Sequence, residues 1–242
     1  SFSAGGYWEQ IEKGIRHAVY EFSNIRLKVK YLYYDQFDLF SCREIYNKAL
    51  TISCDAMLIG PTFTDETMQF VCRLEAQGIP YVFVDSMILN TNPLAFYGPD
   101  SYTLGRIQAR LLTESMDKGR EVVMLRARRV GDESSTPSIV RRNGFLSYVR
   151  EFHPEMRVVD GAYDASSAEQ SRAAFDELFG QHPDIGGIAV FNSRAYVISD
   201  YLRRHGLRGI NLVGYGMIER NLTDLRNGYI SFLLSERPDK QG

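Results

Sequence analysis

The sequence predicts an α/β fold of two doubly wound parallel-sheet lobes around a ligand cleft. Short apolar runs alternate with segments of helical period along the whole chain of 242 residues, the pattern of repeated βαβ units. Most of these runs stop on a polar or glycine cluster: MLIGPT from Met57, YVFVDS from Tyr81, AFYGPDS from Ala95, IAVFNS from Ile188 and LVGYG from Leu212. Parallel strands would place all those clusters on one carboxyl edge, where open α/β sheets bind ligands. The two halves also share one rhythm, and a single sheet of so many strands would be large, so two lobes are the natural division. Residues 1–118 are the expected N-terminal lobe with a truncated first strand, 119–234 the C-terminal lobe, and 235–242 a crossover back. Asp117-Lys118-Gly119-Arg120 is the expected connection between lobes.

Each element follows from its period. Trp8, Ile11, Ile15, Ala18, Val19 and Phe22 recur at helical spacing after Gly5-Gly6, which predicts a helix over 7–24. Leu27, Val29, Tyr31 and Tyr33 alternate with Lys28 and Lys30, predicting a strand with one wet face. A helix over 38–53, a strand over 56–59, a helix over 64–77 and a strand over 81–84 follow, with Gly78 and Pro80 as stop signals. Beyond the turn residues Asn90, Asn92 and Pro93, strands are expected at 94–97, 122–125, 157–159, 187–191, 212–215 and 229–234. Helices are expected at 101–116, 138–152, 167–179, 194–205 and 219–226. Ser1-Phe2-Ser3 reads as the tail of a strand, and Arg237 to Gly242 as a turn into a further element.

Composition narrows the function. A chain 44% hydrophobic and 24% charged is globular, and a net charge of −2 offers no basic face for nucleic acid. Cys42, Cys54 and Cys72 are odd in number and lack CxxC spacing, so buried thiols in a reducing compartment are expected. No run is long and apolar enough for a membrane span, and no basic-then-apolar leader opens the chain. GxGxxG, GxxxxGK[ST] and GxSxG are all absent, which argues against a phosphate-cradling nucleotide site or a serine nucleophile. His17, His153, His182 and His205 show no metal-ligand spacing. No enzyme, no cofactor and no metal are therefore expected.

What the strand ends carry is hydrogen-bonding groups mixed with aromatic rings: Tyr7, Trp8, Thr62, Asp85, Ser86, Asp100 and Ser101 in the first half, and Arg141, Tyr163, Asn192, Arg194 and Tyr215 in the second. Carboxylates, amides and a guanidinium grip hydroxyls, while flat rings cover the apolar face of a sugar or purine. Each has a plainer use. Trp8 is either the inner face of its helix or a stacking platform. The aspartates and serines are caps or ligand contacts, with Ser101 the expected cap. Of Arg141 and Arg142, one is solvated and the other turns inward; Asn192-Ser193 caps a helix or meets ligand.

The ordered motifs then become informative together: Tyr7-Trp8-x-x-Ile11-x-x-Gly14-Ile15, Gly78-Ile79-Pro80 into Val84-Asp85, Asp100 with Gly105, Arg141-x-x-Gly144-Phe145, Phe191-Asn192-Ser193, Val213-Gly214-Tyr215, and Arg237-Pro238 before Gln241-Gly242. Across essentially the whole chain this resembles the effector-binding domain of the lactose-repressor and galactose-repressor family, which shares the periplasmic-binding-protein type I fold. The resemblance implies a cytoplasmic regulator that closes on a sugar or related effector, forms a homodimer, and meets DNA only through an N-terminal helix-turn-helix absent from this chain. It implies that Asp100 binds hydroxyls from the first lobe and Arg141 from the second, that the Tyr163 ring lies against the ligand in Ala162-Tyr163-Asp164-Ala165, and that Asn192, Tyr7 and Trp8 touch it. Gly216 stands where the family usually has an aspartate after Val213-Gly214-Tyr215, leaving room for a differently hydroxylated end. An extracytoplasmic sugar receptor of a transporter or sensor is the alternative. Removal of Arg141 is expected to abolish the response to ligand while leaving the fold intact.

Overall fold

The computed structural model describes residues 6–36, 38–128, 136–164 and 167–242. The expected strand tail at Ser1-Phe2-Ser3, the first glycine of Gly5-Gly6, and Ala165 lie outside the described residues. The element order begins α1 (Tyr7–Glu21), α2 (Leu39–Ala49), β1 (Met57–Ile59), α3 (Thr64–Ala76), β2 (Tyr81–Val84), β3 (Ala95–Tyr97), α4 (Ser101–Ser115) and β4 (Glu121–Arg128). It continues α5 (Thr136–Phe152), β5 (Val158–Asp164), α6 (Ala168–Gln181), β6 (Ile185–Val190), α7 (Ala195–Arg204), β7 (Asn211–Tyr215), α8 (Glu219–Arg226), β8 (Phe232–Leu234) and α9 (Pro238–Gln241).

The chain divides into two compact units. The described residues of Ser1–Pro99 and Arg237–Gly242 form one, and those of Asp100–Arg129 and Pro137–Glu236 the other. In the first unit a parallel sheet runs β1-β2-β3, with Met57 opposite Tyr81 and Val84 opposite Tyr97. Its core joins Ile59, Tyr81 and Phe83 to Cys42 and Tyr46 of α2 and Phe70, Val71 and Leu74 of α3. The rings of Tyr46 and Phe70 stack 4.2 Å apart. The returning α9 lies on α1, where a side chain on Gly14 would come within 2.6 Å of the Asp239 carbonyl, so glycine allows the close approach.

The second unit holds a parallel sheet in the order β5-β4-β6-β7-β8. Both faces are covered. Val123, Leu125, Ile188, Val190 and Leu212 point to a core shared with α6 and α7, while Val122, Met124, Ala189 and Val213 point to one shared with α4 and α5. Strand alternation explains this division, and burial on both faces explains why the runs read as continuously apolar.

Several expectations change. Residues 27–33 form no strand among the described residues. Tyr31 and Tyr33 stack with centroids 6.3 Å apart, as i and i+2 side chains do on one face. Leu27 and Val29 remain 49% and 44% exposed, however, so the alternating pattern there has no ladder to support it. Strand β5 runs to Asp164, well past the expected 157–159. Asp117 to Arg120 joins α4 to β4 inside the second unit instead of linking two lobes. The reason is that Gln108 of α4 donates to the carbonyls of Val190 and Val213, which ties this helix to the second sheet. Of the thiols, only Cys42 is buried, and burial pushes it up to about 12; Cys54 is half-buried and Cys72 exposed.

Candidate functional site

Each unit gathers polar and aromatic groups at the carboxyl ends of its own strands. In the first unit the gathering point is the end of β1 and β2. Trp8 lies across Gly60, whose added side chain would meet the indole at 2.4 Å, and its Nε1 donates to Gln36 at 3.4 Å. The ring is half-buried at the strand edge rather than sealed inside the helix face. Tyr7 packs edge-on against it and donates its hydroxyl to Asp85 Oδ1 at 2.5 Å. Asp85 also accepts from Ser86 Oγ and sits at φ 69°, a left-handed conformation that aspartate tolerates and bulkier residues avoid. Thr62 donates to the Tyr34 hydroxyl, which donates to the Gly60 carbonyl. Tyr7, Trp8, Thr62 and Asp85 thus form one constellation. Tyr34, Gln36 and Gln241, whose amide donates to the Tyr7 hydroxyl, complete it.

In the second unit the gathering point is the ends of β6, β7 and β8. Ser138 and Arg141, from the first turns of α5, both donate to the carbonyl of Phe191, fixing that helix over the end of β6. The Arg141 guanidinium then meets Glu236 and lies 4.4 Å from the centre of the Tyr215 ring. Both charged side chains are almost sealed, at 5% and 4% exposure. Tyr215 donates to Gln108 Oε1 at 3.1 Å, and burial first of all raises its phenol above the ordinary range. Arg142 takes the solvated role, pairing with Asp160 at the surface.

The loops after β6 and β7 are sewn together by Asn221. Its Nδ2 lies 3.0 Å from the carbonyls of Ser193, Tyr215 and Gly216, and its Oδ1 accepts from the Tyr196 amide. Asn192 Oδ1 accepts from the Arg194 amide, so Asn192 folds its own turn while Arg194 takes the N-cap position of α7. Gly216 has φ 80°, and a side chain there would meet Ser193 Cβ at 2.8 Å, so conformation and space both select glycine. Asn221→Ala is expected to cost about 2–3 kcal/mol, because three carbonyls and an amide lose a buried partner. Urea unfolding would measure it, and a loss below about 0.5 kcal/mol would contradict the assigned role.

Two candidates are used differently from expectation. Tyr163, expected against ligand, is 1% exposed in the interior of β5 and packs on Phe175 beneath α6, because the longer strand carries its ring into the core. Asp100, not Ser101, is the N-cap of α4, accepting from the Thr103 amide and hydroxyl. These bonds, the hydroxyl's first, hold its carboxyl below the ordinary value. Its carboxylate is exposed and spent on the helix end, which makes Asp85 the aspartate built into a constellation of the first unit. Glu236, Gln108 and Asn221 were missed. None ends an apolar run, and their partners are 50 to 107 residues away or lie across a loop.

Comparison with known proteins gives these arrangements a family context. A family model described as periplasmic binding protein domain matches residues 1–242. A crystal structure of a candidate LacI transcriptional regulator from Bacteroides fragilis superposes with TM-score 0.94 at 32% identity, covering 100% of this chain and 83% of that one. A carbohydrate transporter solute-binding protein from Agrobacterium radiobacter, in complex with D-arabinose, superposes with TM-score 0.83 at 22% identity over 98% of this chain and 80% of that one. In sequence, the xylose/arabinose-binding protein XylF of Sulfolobus acidocaldarius is 22% identical over 202 residues, which is 76% of this chain. The chain spans about half the length of that curated relative, 48%.

Proposed function

The chain belongs to the periplasmic binding protein domain family, and from that premise we propose that it binds a sugar or related small molecule as the effector-binding and dimerising part of a LacI-type transcriptional regulator. One observation carries the ligand reading: each unit independently concentrates hydroxyl-gripping groups at its carboxyl strand ends, Asp85 with Tyr7 and Trp8 in one, Arg141 with Glu236 in the other. Such groups hold hydroxyls by paired hydrogen bonds while rings cover apolar faces. Binding rather than catalysis suits this set. The 32% identity to the Bacteroides fragilis protein supports the regulator reading.

In this proposal a sugar engages both half-sites and favours a closed arrangement of the lobes, shifting a two-state equilibrium by its differential affinity. A homodimer would carry that shift to reading heads on DNA. The module would act in the cytoplasm. A second reading, an extracytoplasmic receptor, is favoured by the relatives whose names include xylose, arabinose or D-arabinose. Electrophoretic mobility of duplex operator fragments with the full-length protein separates the two. DNA binding that changes on adding a neutral sugar is the expected result, whereas export from the cytoplasm without DNA binding would establish the receptor.

A further inference from the structure

The charge of the second half-site is cancelled from within. Arg141 is held on three sides, by the Phe191 carbonyl, the Glu236 carboxylate and the face of Tyr215. With side chains only 5% and 4% exposed, it cannot swing to clamp an incoming anion without leaving Glu236 ionised and dehydrated, a severe penalty. The neighbouring loop supplies no other carboxylate, because Gly216 refuses a side chain. Glu236 stands beside that position: the Gly216 amide donates to the Leu234 carbonyl two residues before it.

We propose that Glu236 is the specificity-determining residue of this half-site, supplying its carboxylate and selecting uncharged, hydroxyl-rich ligands over their anionic counterparts. The proposal rests on the sugar-binding reading. A ligand hydroxyl donates to a carboxylate and accepts from a guanidinium, so a neutral sugar satisfies both ends of the pair. A uronate or sugar phosphate meets attraction and repulsion from two charges closer to each other than to it, and the net pull nearly vanishes. Arg194, half-buried at the start of α7, is a further cation on this edge. For that reason the comparison must be made within one scaffold by changing Glu236 alone.

The test is calorimetric titration with D-xylose, L-arabinose, D-ribose, D-galactose and D-glucose against D-galacturonate, D-glucuronate and ribose 5-phosphate. Wild type is expected to bind at least one neutral sugar about tenfold or more tightly than any anion. Glu236→Gln is expected to move the anion-to-neutral affinity ratio about tenfold towards the anion, and Glu236→Asp, which keeps the charge, to retain the neutral preference. A wild type that binds an anion as tightly as the best neutral sugar overturns the proposal while leaving sugar binding intact. An unchanged ratio in folded Glu236→Gln overturns it as well. Absence of binding to every compound defeats the sugar-binding reading itself and this inference with it.

Discussion

Replacing Arg141 with alanine is expected to lower the unfolding free energy by about 3–5 kcal/mol, because the change strands a buried carboxylate. The sequence alone suggests a ligand-facing arginine whose loss spares the fold. The structure places its guanidinium against Glu236, the Phe191 carbonyl and Tyr215, with the side chain 5% exposed. Without it Glu236 keeps its charge but loses its counterion, and the Phe191 carbonyl keeps only the hydroxyl of Ser138. Replacing both partners, as in Arg141→Met with Glu236→Leu, is expected to recover most of the loss, since an apolar pair of similar volume carries no desolvated charge. Urea denaturation of the two variants checks this. A single variant within about 1 kcal/mol of wild type, or a double variant no more stable than the single, would show that the pair is not the buried unit described.

The second large effect is expected at Gly105. A side chain there would lie 1.9 Å from the Arg141 carbonyl oxygen, and one at Gly144 would lie 2.0 Å from the Tyr102 carbonyl oxygen. The two glycines face each other's helices, so α4 and α5 touch backbone to backbone where no flexible side chain can yield. Alanine in a helix normally gains about 1 kcal/mol over glycine. Here the overlap outweighs that gain, and Gly105→Ala is expected to destabilise by about 3 kcal/mol. The forced separation also displaces the start of α5, the turn that aims Arg141. Gly180→Ala is the control: its added side chain meets nothing within 4 Å, and the expected change is zero to a gain of about 1 kcal/mol. Thermal unfolding of the pair measures the contrast, and similar midpoints would contradict the tight crossing.

Much of the fold is legible in the chain because buried parallel strands are continuously apolar. Met57–Ile59, Tyr81–Val84 and Asn211–Tyr215 stand out from their flanking polar clusters for that reason. Residues 27–33 show the limit, since their alternation is visible but the ladder that would make a strand is not local. The site divides in the same way. Tyr7, Trp8 and Asp85 are readable because each flanks an element end. Glu236, Gln108 and Asn221 are not, because their roles come from partners brought in by the sheet order β6-β7-β8 and by the packing of α4. Tyr163 misleads because a polar-looking AYDA segment turns out to continue a strand whose alternate positions enter the core.

The central claim is that the polar strand ends of this chain are built to hold a neutral sugar. Calorimetric titration of the unmodified protein with the five neutral sugars tests it most directly, with the unfolding midpoint followed in parallel. At least one is predicted to give saturable heat and a midpoint that rises with concentration, as linkage requires when ligand binds only the folded state. Flat titrations and an unmoved midpoint for all five, at concentrations reaching tens of millimolar, would contradict it.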